Sequence, residues 1–153
     1  MRIRKSARIL LINQNLEILL FKFSHKADAL AGQSYWATIG GGVETGETFQ
    51  QAACRELLEE TGLNINDVGP CITTRSFEMQ LPSSETVIAD EQFFVVFIKD
   101  HQIKEERWTE HEKQVIKQQR WWCLRQLKNT QETVFPDNIP QILSHHFPDI
   151  FKV

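Results

Sequence analysis

Apolar residues along the chain gather in short blocks separated by polar turns, which is the signature of strands rather than of long helices. Ala7 to Ile12 and Ile18 to Phe23 are rich in Ile, Leu and Phe, with Asn13-Gln14-Asn15 between them, and this pattern predicts a β-hairpin. A polar loop from Ser24 to Ser34 follows, and Tyr35 to Ile39 reads as a short strand running into Gly40-Gly41-Gly42. Thr48 to Thr61 contains neither Gly nor Pro and holds good helix formers, with Thr45 or Thr48 available as cap and Gly62 at the C-terminal end, so it predicts a helix. Ile72 to Leu81 and Thr86 to Ile98 are strand-like around a Pro82-Ser83-Ser84 turn. Thr109 to Gln119 reads as a polar helix, Arg120 to Leu124 as a strand and Leu124 to Lys128 as a short helical piece. Pro140 to Phe147 closes the chain as a helix with Pro in its first turn. Strands interleaved with a few helices imply an α/β fold, a mixed sheet covered on both faces.

With 153 residues and no repeat, low-complexity tract or linker, residues 1–153 read as a single domain large enough for a real core. A net charge of −3 argues against a protein held to nucleic acid by a broad positive field. It leaves small nucleotides open, because a bound metal neutralises phosphate locally. Cys54, Cys71 and Cys123 show no metal-ligand spacing and their odd number cannot all pair within the chain; three reduced thiols in a cytoplasmic protein are expected. The apolar run near the N-terminus is too short for a signal peptide, and no stretch approaches the ~20 residues of a membrane span.

The chemistry concentrates in Gly41 to Leu63, GGVETGETFQQAACRELLEETGL. At about 100° per residue, Glu56, Glu59 and Glu60 fall within an arc of roughly 100° on one helix face. Such like charges destabilise a bare helix by a few tenths of a kcal/mol per pair, and a divalent cation removes the repulsion. Oxygen ligands without His or Cys select a hard ion, Mg²⁺ or Mn²⁺. Arg55 can orient a carboxylate through its planar fork, and Glu47, ahead of the helix, can reach Arg55. The Gly40-Gly41-Gly42 run allows close backbone approach to a ligand. A metal at such a junction would polarise a phosphoryl oxygen and activate water. A solvated acidic face explains any single Glu, but less well the coincidence of Arg, three Glu and flanking Gly.

The segment fits the Nudix box at every defined position: Gly41, Glu47, Arg55-Glu56-Leu57, Glu59-Glu60 and Gly62-Leu63 at the box spacing. The chain thus resembles the Nudix hydrolase family, with weaker similarity in the opening hairpin, the Trp36 strand and the Arg120-Trp121-Trp122 strand. The resemblance implies an α/β/α sandwich around a mixed β-sheet. It implies Mg²⁺-dependent hydrolysis of a nucleoside diphosphate linked to another moiety, a nucleoside triphosphate or a nucleotide sugar such as ADP-ribose. Glu56, Glu59 and Glu60 would supply the metal-binding and base carboxylates, the Gly40 carbonyl a further metal ligand, and Arg55 with Glu47 the orienting pair. Many members carry Pro just before the glycines, where this chain has Ile39. The partner expected is a small nucleotide substrate, with no membrane and with room for a homodimer. Two alternatives stand beside this reading: a non-catalytic nucleotide-binding or regulatory module, and removal of diphosphate from RNA 5′ ends, which the net negative charge weakens.

Family members often recruit one more carboxylate from outside the box, for which Glu112 is favoured over Glu110 and Glu91, while Glu44 reads as a loop surface residue. Trp36, Phe77, Phe93 and Trp121 could stack on a base, though strand aromatics more often fill a core. Arg8 could meet a phosphate, with a surface Arg packed along its stem as the blander reading. The five histidines form no ligand set in the sequence, and His145-His146 read as residues of the last helix. The Pro-Trp block of the NADH-preferring subgroup is absent, and the region past the box, Met79-Gln80-Leu81, lacks the Tyr of the dinucleoside-polyphosphate subgroup.

Overall fold

The computed structural model describes residues 1–99 and 107–152, and for residues 114 and 117 the backbone alone. The elements run β1 (Ile3–Ile12), β2 (Ile18–Ser24), β3 (Ser34–Gly42), α1 (Phe49–Thr61), β4 (Thr73–Gln80), β5 (Thr86–Phe97), α2 (Glu110–Val115), β6 (Ile116–Trp122), α3 (Leu124–Asn129), β7 (Val134–Phe135) and α4 (Ile139–His146). The sheet is mixed, in the order β4-β5-β1-β2-β3-β7, with β6 on β2.

The expected hairpin forms only at its closed end, where Ile12 faces Ile18. Beyond that point β1 leaves β2 and pairs in parallel with β5 along its whole length, from Ile3 opposite Ile88 to Ile12 opposite Phe97. Strand β3 pairs first with β2, then crosses to β1, where Ser6, Ala7 and Arg8 face Gly42, Gly41 and Gly40. This change of neighbour curls the sheet and lays the glycine run on the middle of β1.

Both faces of the sheet are covered, as a central parallel pair requires. On one face Ala7, Ile9, Leu11 and Phe21 pack under Ala52, Ala53 and Leu57 of α1. On the other, Leu10, Ile12, Leu20, Trp36 and Trp122 meet Ile139, Ile142 and Leu143 of α4. Helix α1 is capped at both ends: Thr48 and Gln51 form a reciprocal capping box, and Gly62 at φ 78° donates its N–H to the Leu58 carbonyl. Ile39 is fully buried among the α1-side core residues and opposite Ile9.

One sequence expectation is corrected. The polar helix stops at Val115 rather than Gln119, and β6 begins at Ile116 rather than Arg120. Val115 and Ile116 are buried against the α1-side core, and residues 116–122 gain a ladder on β2, which outweighs the helix preference of a Lys- and Gln-rich stretch. The two-residue β7, paired with β3, had no pattern to announce it. Among the described residues no helix is long and apolar enough to cross a membrane, and all three cysteines are free.

Candidate active site

Arg55 organises the start of the site. Its Nε and Nη2 donate to the two oxygens of Glu47 at 2.8 and 2.9 Å, Nη2 also donates to the Gly42 carbonyl at 2.8 Å, and Nη1 reaches Glu56 at 2.9 Å and Glu59 at 3.3 Å. Glu47 is fixed from its other side by the backbone N–H of Glu44. The Arg55 bonds hold Glu47 below the usual carboxylate range, and Glu47 in turn pushes Arg55 upward. Glu44 itself is a largely exposed loop residue 3.7 Å from Arg55.

Glu60 projects inward from the last turn of α1, is only 2% exposed, and accepts the Gly40 N–H at 2.9 Å. Burial, then the neighbouring carboxylates of Glu56 and Glu112, push its carboxyl well above the ordinary range. Glu56 is raised as well, mainly by burial and against the pull of Arg55. One carboxylate oxygen each from Glu56, Glu60 and Glu112 lie within 4.8 Å of one another. Three anions so placed in a poorly solvated pocket repel strongly unless protons or a cation sit among them. Their oxygen-only donor set fits a hard divalent ion.

The glycine run permits this closeness. A side chain on Gly40 (φ 144°) would collide with the Ala7 carbonyl, and one on Gly41 would strike the Glu56 carboxyl, with Cδ at 2.6 Å. The Gly40 contact seen here is through its N–H, to Glu60. Glu59, by contrast, is more open than Glu56 and reaches the group only through Arg55.

Of the outlying candidates, Glu112 joins the cluster. It also completes a capping box with Thr109 at the start of α2. Glu110 is exposed and pairs with Lys113. Glu91 stands elsewhere, bound to Arg8 at 3.0 Å and near Arg75 at 3.6 Å. These three line a 340 Å³ cleft with Tyr35, Phe77 and Phe135. Arg75 lies 4.0 Å over the Phe77 ring. Phe77 is therefore the one proposed stacking residue that faces this cleft; Trp36 and Phe93 are core, and Trp121 packs against the α1-side core.

Two further features escaped the sequence reading. Trp108 is buried against Phe21 and donates its indole N–H to the Glu60 carbonyl at 2.9 Å, tying the chain before α2 to the end of α1. His25, Asp28 and His111 converge, a grouping that the sequence did not announce. The contact joins the β2–β3 loop to α2, a distance in sequence that no motif spans.

The glutamate helix, its arginine clamp and the glycine run agree with a family profile. The NUDIX domain profile matches residues 2–142. The chain belongs to the NUDIX family. This NUDIX chain is 32% identical over 105 residues to the NAD-capped RNA hydrolase NudC of Haemophilus influenzae (strain PittEE), covering 65% of the chain and 37% of that protein. It therefore spans little more than a third of the curated relative's length. A 35-residue stretch, 23% of the chain and 22% of the relative, is 57% identical to the oxidized purine nucleoside triphosphate hydrolase of Danio rerio. The fold matches that of the MutT protein from Methanosarcina mazei Go1, with TM-score 0.65 and 21% identity over 99% of this chain and 97% of that one.

Proposed function

We propose that this chain is a divalent-cation-dependent pyrophosphohydrolase, acting as one cytoplasmic domain on a nucleoside diphosphate joined to a further group, such as a nucleoside triphosphate or ADP-ribose. The convergence of Glu56, Glu60 and Glu112 to within 4.8 Å carries this reading. Magnesium, when bound there, would supply Lewis-acid polarisation of the diphosphate. Glu56 and Glu60 would hold it, with the Gly40 carbonyl as a further ligand, while Glu59, also expected as a ligand, stands against Arg55 and would have to turn from it to join them. Arg55 and Glu47 keep the carboxylates oriented. Glu56, buried beside Glu60, would serve as the base that takes the proton of the attacking water. Glu112 completes the group from α2.

The aromatic and arginine-lined cleft supports a nucleoside there, with its phosphates running toward the glutamates. Arg4, Ser6 and Arg8 share one face of β1, so two arginines stand roughly 13 Å apart along that path. Arg4 lies beside Gly42 and Arg8 lines the cleft. A second reading, hydrolysis of NAD or NAD-capped RNA, is favoured by the NudC relatives.

The test is product analysis on a panel of nucleoside triphosphates, ADP-ribose, UDP-sugars, NAD and NAD-capped RNA, with Mg²⁺ or Mn²⁺ and with excess chelator. Metal-dependent cleavage of a diphosphate linkage, lost in Glu56→Gln, is expected. Binding without turnover of every compound would show a binding module instead, and turnover undiminished by chelator would refute the metal.

A further inference from the structure

Apart from the glutamates, one other cluster of ligand-type side chains forms among the described residues. His25, just after β2, is 4% exposed and its Nδ1 lies 2.8 Å from Oδ2 of Asp28. His111, on α2, brings its Nε2 to 3.8 Å from that same oxygen. One ligand atom from each of the three lies within 4.8 Å of the others. Asp28 is held in place because its Oδ1 accepts the Leu30 N–H at 2.9 Å.

We infer that His25, Asp28 and His111 form a second cation site, for a transition-metal ion such as Zn²⁺, which fastens α2 to the β2–β3 loop. Metal–nitrogen and metal–oxygen bonds of about 2.0–2.1 Å in a tetrahedral shell separate neighbouring ligand atoms by about 3.3 Å. The separations from the Asp28 oxygen, 2.8 and 3.8 Å, bracket that value, and one nitrogen of each imidazole lies within 4.8 Å of the other, so modest side-chain rotations would close the three atoms around an ion. Two imidazoles and one carboxylate favour zinc, cobalt or nickel over magnesium, the reverse of the oxygen-only glutamate cluster. The chain thus offers two sites of different softness.

The surroundings of His25 are those of a metal-bound imidazole. Its second nitrogen, Nε2, lies 3.0 Å from the Tyr35 hydroxyl. With Nδ1 turned to the cation, Nε2 carries the proton and donates to the Tyr35 oxygen, which fixes both tautomer and ring plane. Phe23 and Tyr35 stack in series with the His25 ring, at 5.6 and 5.7 Å between centroids. His111 is half exposed, so exchange with solvent remains open. A His25–Asp28 hydrogen bond by itself accounts for one edge of this triangle. The approach of an imidazole from another element to the same oxygen accounts for the rest if a cation sits between them.

The test is zinc binding to the full chain, measured by competition with a chromophoric chelator in excess Mg²⁺, with Co²⁺ absorption as a report of nitrogen coordination. One zinc per chain is expected, with a tetrahedral cobalt spectrum. His111→Ala, a half-exposed position that leaves folding intact, should abolish both, and Asp28→Asn should do the same. Tyr35→Phe should weaken zinc by roughly 10–100-fold through loss of the outer hydrogen bond. Glu56→Gln and Glu112→Gln should leave zinc in place. Absence of zinc binding, or binding indifferent to His111→Ala, would show only an imidazole–carboxylate contact. Loss with Glu112→Gln but not His111→Ala would place the ion in the glutamate cluster, and loss only with His145→Ala would place it on α4; each overturns the inference.

Discussion

Removing the Arg55 guanidinium should unfasten the site and much of the stability around it. The fork makes five hydrogen bonds, four to carboxylate oxygens and one to the Gly42 carbonyl. The Glu47 and Glu56 side chains are 18% and 11% exposed, so water replaces their lost donors poorly; Glu59 at 39% is readily rehydrated and adds little. A hydrogen bond to a charged group contributes about 1.5–3 kcal/mol, and two such partners give about 3–6 kcal/mol. Breaking one side of a buried pair costs about 3–5 kcal/mol, which bounds the same loss independently. Arg55→Ala should therefore lower stability by about 3–5 kcal/mol, and the melting temperature by roughly 6–20 °C for a chain of this size. Arg55→Lys keeps the charge without the fork and should lose about half as much. The measurement is urea and thermal unfolding of all three proteins, first in chelator and then in excess Mg²⁺. Magnesium should return part of the Arg55→Ala loss, because it replaces the missing positive charge among the same carboxylates. A loss of under about 1 kcal/mol in chelator, within the range of an ordinary surface change, would refute the reasoning.

Three further outcomes follow from the geometry. Glu112→Gln should cut kcat at least ~30-fold on the best panel substrate while Glu110→Gln is nearly silent, since only Glu112 joins the glutamate cluster; the reverse order would remove Glu112 from the site. Gly40→Ala forces a side chain onto the Ala7 carbonyl at φ 144° and should destabilise by at least about 1–3 kcal/mol in chemical denaturation, so a wild-type midpoint would contradict the close approach. Glu60 is held well above the usual carboxylate range by burial, so the folded chain keeps a proton that the unfolded chain releases, and stability falls as pH rises from the ordinary carboxylate range toward the folded value. Glu60→Gln should accordingly melt higher than wild type in chelator at neutral pH, with the gain gone below about pH 4, and a pH-independent difference would show that the carboxyl is not the cause.

Much of the molecule was legible because it depends on neighbours in sequence. Thr48 and Gly62 bound α1 through local hydrogen bonds, and the spacing of Arg55, Glu56, Glu59 and Glu60 on one helix follows from its pitch. The strand-like runs on either side of the Pro82-Ser83-Ser84 turn likewise announced β4 and β5. What a helix wheel could not separate was the fate of its three glutamates. Within the same arc, Glu60 is buried beneath the glycine run while Glu59 stays open, because the β1–β3 pairing sets the glycines against one side of α1. Tertiary structure also decided where helix yielded to strand after Val115, since the β2 edge supplied hydrogen bonds that propensity does not count. It decided which distant carboxylate joined the box, selecting Glu112 from α2 and turning Glu91 toward Arg8 and Arg75. It alone brought His25, Asp28 and His111 together. Local order is encoded by residues a turn apart, whereas these meetings follow from chain crossings that become visible only when the sheet has closed around its core.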